Sequence, residues 1–287
     1  MAAPHANHHA NTHPSTPQPT LTPALPTLVF IHGAQHDHSV WTLQSRWFAH
    51  HGYTVIAIDL PGHGSTNHSF KSTLLPTIEK MADWLLDELN SAGVTHAALI
   101  GHSMGSLVAL ELASRNLAPS NLPNQPLLTS ITHLAMLGTA IPMRVSEALL
   151  EAAKHDEQQA MHMINQWSFS KTTRPNSWLA QTNLRLMQRA APGVFLNDLT
   201  ACNNYTRGLE VAAQVRCPSL LILGRDDQMT PPLRAQKLLA ALASSNPSSK
   251  STTIEGSGHA LMAEYPDLVL NALRVFITTD TNAVTAS

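Results

Sequence analysis

Apolar and polar residues follow two different periods along this chain. Short, continuously apolar runs rich in β-branched residues, such as TLVFIHG at 27–33, are typical of buried strands in a parallel sheet. Longer segments between them place apolar side chains three and four residues apart, which is the spacing of an amphipathic helix. Strands are predicted at 27–33, 53–60, 96–101, 131–137, 219–223 and 250–254, and helices at 39–52, 74–92, 104–115, 231–243 and 266–277.

The alternation of strands and helices predicts an α/β fold, with a mostly parallel sheet covered by helices on both faces. We expect the sheet to begin at Thr27 and to hold six strands. The alternation breaks once, because the segment after the fourth strand carries helical stripes and no clear strand. The predicted organisation is a disordered leader at 1–26, an α/β core at 27–141 and 215–280, and an all-helical insertion at 142–214.

Composition and charge exclude several classes of partner. The 287 residues are 43% hydrophobic and 13% charged, with a formal net charge of -2 and no basic run. No strong attraction to nucleic acid or to an anionic membrane follows from this balance. No run approaches the ~18 apolar residues of a membrane span, and the leader lacks the apolar stretch of a signal peptide. We therefore expect a cytoplasmic monomer or homodimer with reduced cysteines.

The strongest local signal for chemistry is Gly101-His102-Ser103-Met104-Gly105. Gly-x-Ser-x-Gly is weak by itself, but here it joins an apolar strand to an apolar helix. That context is the one a nucleophile elbow requires, with the serine on a sharp turn at the carboxyl end of the sheet. Ser103 is therefore the predicted nucleophile.

A serine hydroxyl needs a base, and the base needs an acceptor that fixes its tautomer. His259 directly follows the last predicted strand, in Gly256-Ser257-Gly258-His259, and is the candidate base. Asp226 and Asp227 follow the fifth strand, and one of them is expected to orient the histidine.

Acyl transfer also requires two backbone N–H groups directed at the developing oxyanion. The residue after the nucleophile, Met104, is expected to supply one. The loop after the first strand, His32-Gly33-Ala34-Gln35, is expected to supply the other through Ala34.

Five motifs occur in one order along the chain, with the serine first, the aspartate second and the histidine last. From about Thr27 to the closing helix the sequence therefore resembles the α/β-hydrolase superfamily, in the broad group of capped esterases and carbon–carbon bond hydrolases. The resemblance implies Asp227, not Asp226, as the acid, and implies that the helical insertion caps Ser103. The motifs are His32-Gly33, Asp59 to Ser65 (DLPGHGS), Gly101 to Gly105 (GHSMG), Gly224/Asp227/Pro231 and Gly256 to His259.

The expected activity is hydrolysis of a carboxylic ester of a small, largely apolar substrate through an acyl-enzyme on Ser103. No metal or organic cofactor is required by this chemistry. Four histidines at positions 5–13 form no fixed metal scaffold, so no metal site is predicted. A carbon–carbon bond hydrolase or thioesterase is the alternative within enzymes. A non-catalytic ligand receptor on the same fold is the alternative of another class.

Several residues are candidates for substrate contact, each with a structural alternative. Asp37 is favoured as a cap of the following helix. Aromatic and methionine side chains of the insertion are more often the core of such a cap than the lining of a pocket. The apolar insertion favours uncharged or weakly polar esters over polyanionic substrates. The candidate contacts are Gln35, Asp37, His102, Met161 and Trp167.

Overall fold

A computed structural model of the chain describes residues 25–64, 74–115, 129–173 and 177–284. The predicted leader lies outside these residues, except for its last two positions. Six strands are present in the described part, and their bounds follow the predicted apolar runs closely. They are β1 Thr27–Ile31, β2 Val55–Ile58, β3 His96–His102, β4 Ser130–Leu137, β5 Ser219–Gly224 and β6 Lys250–Ile254.

The six strands form one parallel sheet in the order β2-β1-β3-β4-β5-β6. Leu28 of β1 lies opposite Val55 of β2 on one side and opposite Ala98 of β3 on the other. The prediction of a six-stranded parallel sheet is therefore confirmed for the described residues, whereas its beginning at Thr27 stays a prediction because residues 1–24 lie outside them. The chain leaves β1 in one direction and β3 in the other, so a crevice opens at their carboxyl ends, where open α/β sheets bind ligands.

Helices flank the sheet. The predicted helix at 74–92 begins only at Ile78, because the Thr77 side chain accepts a hydrogen bond from the Lys80 N–H and caps it there. The predicted helix at 231–243 starts as a 3₁₀ turn at Pro232–Ala235. The helices of the core are α1 Thr42–His50, α2 Ile78–Ser91, α3 Met104–Ala113, α9 Gln236–Ser245, α10 Leu261–Glu264 and α11 Pro266–Val284.

Alternate residues of each central strand supply two separate cores, one on each face of the sheet. Val29 and Ile31 pack into the cluster that contains α2 and α3. Leu28 and Phe30 pack into the cluster that contains Trp41, α1 and α11. Because both faces are covered by apolar side chains, the strands read as continuous apolar runs in the sequence.

Five helices lie between β4 and β5, with no strand among the described residues of this segment. Its predicted all-helical character is thus confirmed, whereas its limits at 142 and 214 as a separate domain stay a prediction. The helices share an apolar cluster of their own, which includes Leu149, Ile164, Met187 and Phe195. The helices are α4 Glu147–His155, α5 Glu157–Ser168, α6 Trp178–Met187, α7 Val194–Asn204 and α8 Gly208–Ala212.

In the part of the chain that the structure describes, none of the helices combines the length and the apolar character that crossing a membrane demands.

The first turn of α3 is pressed against the ends of β1 and β3. A Cβ atom on Gly101 would fall inside van der Waals distance of the backbone of Gly105 and Ser106. A Cβ atom on Gly105 would meet the backbone of Ile31 and His32 in the same way. Glycine at both positions therefore permits the close strand–helix contact that the turn at Ser103 requires.

We predict that Gly101→Ala lowers the free energy of unfolding by more than about 3 kcal/mol, because the added methyl meets fixed backbone. Gly93→Ala is the matched control. Gly93 has a φ of 70° but no atom within 4 Å of an added Cβ. Its cost should be only that of a left-handed alanine, about 1–2 kcal/mol. Urea denaturation measures both losses, and equal losses would contradict the close-contact explanation.

Candidate active site

Ser103 occupies the turn between β3 and α3 in a conformation that side chains rarely adopt. Its φ is 51° and its ψ is −120°, so its backbone lies outside the regions favoured for non-glycine residues. Such strain persists only where the surrounding structure enforces it, as the close contact of Gly101 with Gly105 does here. The strained serine at a strand–helix turn is the geometry of a nucleophile elbow.

The loops after β5 and β6 bring Asp227 and His259 together. His259 Nδ1 lies 2.8 Å from Asp227 Oδ2, and both side chains are buried. Asp226, the neighbouring acid, is exposed. The structure therefore brings to the histidine the acid that the motif spacing selects.

Four groups donate hydrogen bonds to the Asp227 carboxylate. The backbone N–H groups of Met229 and Thr230 each donate to Oδ1 at 2.8 Å. The Thr230 hydroxyl donates to Oδ2 at 2.6 Å, alongside His259 Nδ1. Burial alone would raise the pKa of Asp227, but His259 and these hydrogen bonds hold it below its usual range. An ionised Asp227 fixes the His259 proton on Nδ1 and leaves Nε2 as the acceptor.

His259 Nε2 is buried and has no hydrogen-bond partner among the described residues. The Ser103 hydroxyl lines the same cavity as His259, but no hydrogen bond joins the two side chains in this structure. Contacts of this kind are often long before substrate binds. An unpartnered acceptor beside the elbow serine is what a general base requires.

The loop after β1 packs directly against the elbow. A Cβ atom on Gly33 would lie 3.2 Å from the Ser103 Cβ, so the His32-Gly33-Ala34 segment passes beside the nucleophile. Ala34 lines the cavity that contains Ser103. Met104 is the first residue of α3, whose N-terminal amides face developing negative charge favourably. The two predicted oxyanion residues thus lie on segments that meet at Ser103.

A cavity of about 930 Å³ opens above these residues, between the sheet edge and the helical insertion. Ser103, His102 and His259 contribute to its wall from the core, and Trp167 contributes from the insertion. Much of the remaining wall is apolar, from Met143, Val145, Leu149, Ile164, Leu179, Leu186, Phe195, Leu199, Met229 and Met262.

The other three candidate contacts do not line this cavity. Asp37 caps the 3₁₀ turn at His38–Trp41 by accepting from the Ser39 N–H, which confirms the structural interpretation of this residue. The Gln35 side-chain amide donates to the Met187 carbonyl at 2.9 Å, so it is used within the protein. Met161 is buried in the apolar cluster of the insertion. The geometry therefore supports only His102 and Trp167 as contacts.

His102 holds the loop that carries His259 through a hydrogen bond to its backbone. Its Nε2–H donates to the His259 carbonyl at 2.9 Å. Burial, and then the nearby His259, hold the pKa of His102 well below its usual range. His102 is therefore neutral and fixes the backbone position of the candidate base.

Asp198, which the sequence analysis did not single out, connects the insertion to the loop after β1 that contains Ala34. Its carboxylate is fully buried on α7, and Oδ2 accepts from the Gln35 N–H at 3.0 Å and pairs with His63 Nε2 at 2.8 Å. Gln35 has a φ of 57°, so this bond holds a left-handed non-glycine residue directly after Ala34. A lone acid on the buried stripe of α7, between Phe195 and Cys202, was the sequence signal for it.

The pKa values of His32 and His63, two histidines that pack beneath this loop, are shifted in opposite directions. Burial, and then the adjacent His63, lower the pKa of His32 to about 3. Burial also opposes protonation of His63, but the Asp198 carboxylate more than offsets it and raises the pKa of His63. Near pH 6 a protonated His63 paired with Asp198 therefore lies beside the neutral His32, and the centroids of the two rings are 4.6 Å apart.

Glu264 ties the insertion to the histidine loop. Its Oε2 accepts from the Gly258 N–H at 2.6 Å, one residue before His259. Its Oε1 accepts from the Ser170 N–H at 2.9 Å and from the Ser170 and Thr173 hydroxyls. One carboxylate thus joins the loop after α5 to the loop that carries the candidate base.

One group of side chains has the composition of a cation site. Ligand atoms of Asp37, His38 and Asp59 lie within 4.8 Å of one another. Internal donors already occupy both carboxylates, since Asp37 accepts from Ser39 and Asp59 accepts from the His38 N–H at 2.7 Å. These contacts explain the cluster as support for the 3₁₀ turn.

Comparison with known proteins gives one consistent family. The sequence pattern of the alpha/beta hydrolase family matches residues 28–272. The chain is 23% identical over 257 residues to (E)-2-((N-methylformamido)methylene)succinate hydrolase of Acinetobacter baylyi, covering 88% of this chain and 90% of that protein. It is 27% identical over 256 residues to a putative esterase/lipase of Haemophilus influenzae, covering 88% and 83%. An esterase structure from Exiguobacterium antarcticum superposes with a TM-score of 0.74 at 19% identity, covering 88% and 91%.

We predict that Asp198→Asn lowers the free energy of unfolding by about 3 kcal/mol or more, because it leaves the buried His63 without its counter-charge. Asp87→Asn removes the same charge from the exposed side of α2 and is the control, with a change below about 0.5 kcal/mol. Urea denaturation near pH 6 measures both variants. If Asp198→Asn lowers the free energy of unfolding as little as the control does, the proposed strength of the Asp198–His63 interaction is contradicted.

A second prediction concerns acid sensitivity. Burial lowers the pKa values of His32, His36 and His102, so the folded protein binds fewer protons than the unfolded chain below about pH 6.5. Stability should therefore fall as the pH drops from 7.5 to 5, and His32 alone should account for about 2 kcal/mol of that fall. His63, whose pKa is raised, acts in the opposite direction: its stabilisation is complete below the unfolded value and is lost as the pH rises through the folded one.

The measurement compares urea unfolding at pH 7.5 and pH 5 for the unmodified chain and for His32→Asn. The variant should show a pH difference smaller by about 2 kcal/mol. His96→Asn, at an exposed histidine, should leave the difference unchanged. An identical pH difference in all three proteins would argue against a neutral, buried His32.

Proposed function

We propose, on the premise that this chain belongs to the alpha/beta hydrolase family, that it is a serine esterase acting through Ser103, His259 and Asp227. The observation that carries the proposal is the convergence of three distant segments at one edge of the sheet. A strained elbow serine and an unpartnered, buried His259 Nε2 face one cavity, while His259 Nδ1 is held by Asp227. The esterase names of relatives support the same class.

In the first half of the reaction the Ser103 hydroxyl attacks the ester carbonyl carbon. Its proton moves to His259 Nε2, and the ionised Asp227 stabilises the imidazolium that forms. The carbonyl oxygen becomes an oxyanion, which the N–H groups of Ala34 and Met104 are proposed to receive. The tetrahedral intermediate then collapses, the carbon–oxygen bond to the alcohol breaks, and His259 returns the proton to the departing alkoxide.

In the second half a water molecule takes the place of the alcohol. His259 Nε2 accepts a proton from the water, whose oxygen attacks the carbonyl carbon of the acyl-serine. Collapse of the second intermediate breaks the bond to Ser103 Oγ and releases the carboxylic acid, as the proton returns to the serine. The low pKa of Asp227 keeps its carboxylate ionised through both halves.

Three observations favour catalysis over a receptor on the same fold. The N–H groups of Met229 and Thr230 and the Thr230 hydroxyl hold the Asp227 carboxylate in place against His259 Nδ1. His259 Nε2 has no described protein partner, although a purely structural buried histidine would be expected to have one. Ser103 also retains a strained backbone, which stabilises nothing by itself.

The decisive test is labelling with a fluorophosphonate, followed by peptide mapping, together with hydrolysis of p-nitrophenyl butyrate. We expect one adduct, on Ser103, and a fall in kcat/KM of about three orders of magnitude or more in Ser103→Ala and in Asp227→Asn. Asp226→Asn is the matched control, because it makes the same change at the exposed neighbouring residue and should alter kcat/KM less than about threefold.

The contrary results are equally clear. An adduct on another residue would remove Ser103 from the mechanism. Equal losses in Asp226→Asn and Asp227→Asn would reject Asp227 as the orienting acid. A chain that binds the ester but neither hydrolyses it nor reacts with the fluorophosphonate would support the receptor alternative.

A further inference from the structure

We propose, building on the esterase function above, that the substrate carries an anionic group remote from its scissile ester, which arginines at the opening of the catalytic cavity receive. These arginines, Arg144, Arg185, Arg189 and Arg234, are called the arginine rim here. All four belong to the wall of the cavity that contains Ser103 and His259. The substrate class is thus an amphipathic ester with an apolar middle and an anionic end.

The charge of the cavity wall is strongly one-sided. The whole chain has 17 basic and 19 acidic residues, so its formal charge is nearly balanced. The described wall of the cavity nevertheless includes four arginines and no aspartate or glutamate. A concave site lined by one sign of charge attracts ligands of the opposite sign. The overall balance in the sequence conceals this local imbalance.

The rim differs from the reacting centre in its exposure to solvent. Ser103 and His259 are buried, whereas all four arginines are exposed, so the arginines lie on the solvent side of the cavity. Apolar side chains, among them Leu149, Ile164 and Phe195, form much of the remaining wall. A ligand that fills this space has an apolar portion next to Ser103 and a charged portion in contact with solvent at the rim. The arrangement departs from the sequence expectation of an uncharged or weakly polar ester, since it favours one anionic group at the far end, although it still disfavours a polyanion inside.

Three separate segments supply the rim. Arg144 follows β4, Arg185 lies in the last turn of α6 and Arg189 in the turn directly after it, and Arg234 lies in the 3₁₀ turn after β5. Cations one turn apart on a helix repel each other. Bringing further arginines to the same opening raises the local positive potential, which a bound carboxylate or phosphate would lower.

Among the described residues, the guanidinium groups of Arg144 and Arg185 are each found in one hydrogen bond. Arg144 Nη1 donates to the Asn203 carbonyl at 3.5 Å, and Arg185 Nε donates to the Gln181 carbonyl at 3.3 Å. Each guanidinium has five N–H donors in a planar fork that matches a carboxylate or a phosphate. Arg189 already lies 3.5 Å from the Asp37 carboxylate, so the other three arginines are the better positions for substitution.

The test uses pairs of p-nitrophenyl esters that differ only at the far end of the acyl chain. One member of each pair ends in a carboxylate and the other in the corresponding amide, for acyl chains derived from glutaric, adipic and suberic acid. The readout is the ratio of kcat/KM for the acid to kcat/KM for the amide, after correction for spontaneous hydrolysis. We expect a ratio above about five at one chain length at least, falling in 0.5 M NaCl because exposed charges are screened.

Substitution of the rim should remove the preference stepwise. Arg185→Gln and Arg234→Gln are each expected to lower the ratio by about threefold, and the triple variant with Arg144→Gln should bring it close to one. Arg216→Gln is the matched control. Arg216 is also exposed, but it precedes the amino end of β5, whereas the cavity lies at the carboxyl ends of the strands. Its removal should therefore leave the ratio unchanged.

Binding without turnover separates this proposal from the esterase function. Calorimetry on Ser103→Ala compares octanoate and hexyl phosphate with octanamide, so the carboxylate and phosphate forms of the anion are tested apart. Tighter binding of either anion, lost in the triple arginine variant, supports the rim even if no ester is hydrolysed. Hydrolysis that depends on Ser103 with a ratio of one or less at every chain length, and no preference for either anion in binding, overturns the rim and leaves the esterase function standing.

Discussion

The backbone contact between the first turn of α3 and the ends of β1 and β3 governs the geometry of the whole site. It exists because Gly101 and Gly105 have no side chains, and it forces Ser103 into a conformation with positive φ. The same contact brings Gly33 so close to the serine that a Cβ atom on Gly33 would lie 3.2 Å from the Ser103 Cβ. One packing constraint thus positions the proposed nucleophile and both proposed oxyanion amides. Packing in the two apolar cores, which hold β3 and α3 in place, offsets the backbone strain at Ser103.

The helical insertion is attached to this site through charged groups. Asp198 binds the residue that follows Ala34, and Glu264 joins the insertion to the loop of His259. Buried ionic groups are poor sources of net stability, because desolvation offsets most of their attraction. Their value here is positional, since an apolar contact would tolerate sliding whereas each of these carboxylates accepts two or more hydrogen bonds of defined direction. Docking of the insertion and alignment of the reacting groups therefore depend on the same contacts.

The cavity above this site combines an apolar wall with exposed arginines. Its apolar wall accounts for retention of a hydrophobic portion of a substrate, and its arginine rim gives the opening a sign of charge. Asp227 and His259, the proposed acid and base, are buried, whereas the arginines are exposed to solvent, which screens their charges. The two proposals thus assign substrate selection and chemistry to different parts of one cavity.

The sequence by itself determined the strands and helices and singled out the residues that are proposed to react. Apolar runs of strand length, glycines flanking Ser103 and the ordered motifs of Asp227 and His259 are local features, and local sterics and periodicity are sufficient to interpret them. Tertiary structure alone decided that the insertion is fixed through Asp198 and Glu264, that Gln35 is used internally, and that arginines from three segments share one opening. These facts depend on which distant side chains meet. Pairing between segments far apart in the chain leaves no periodic trace in the sequence, because it is set by the packing of whole elements.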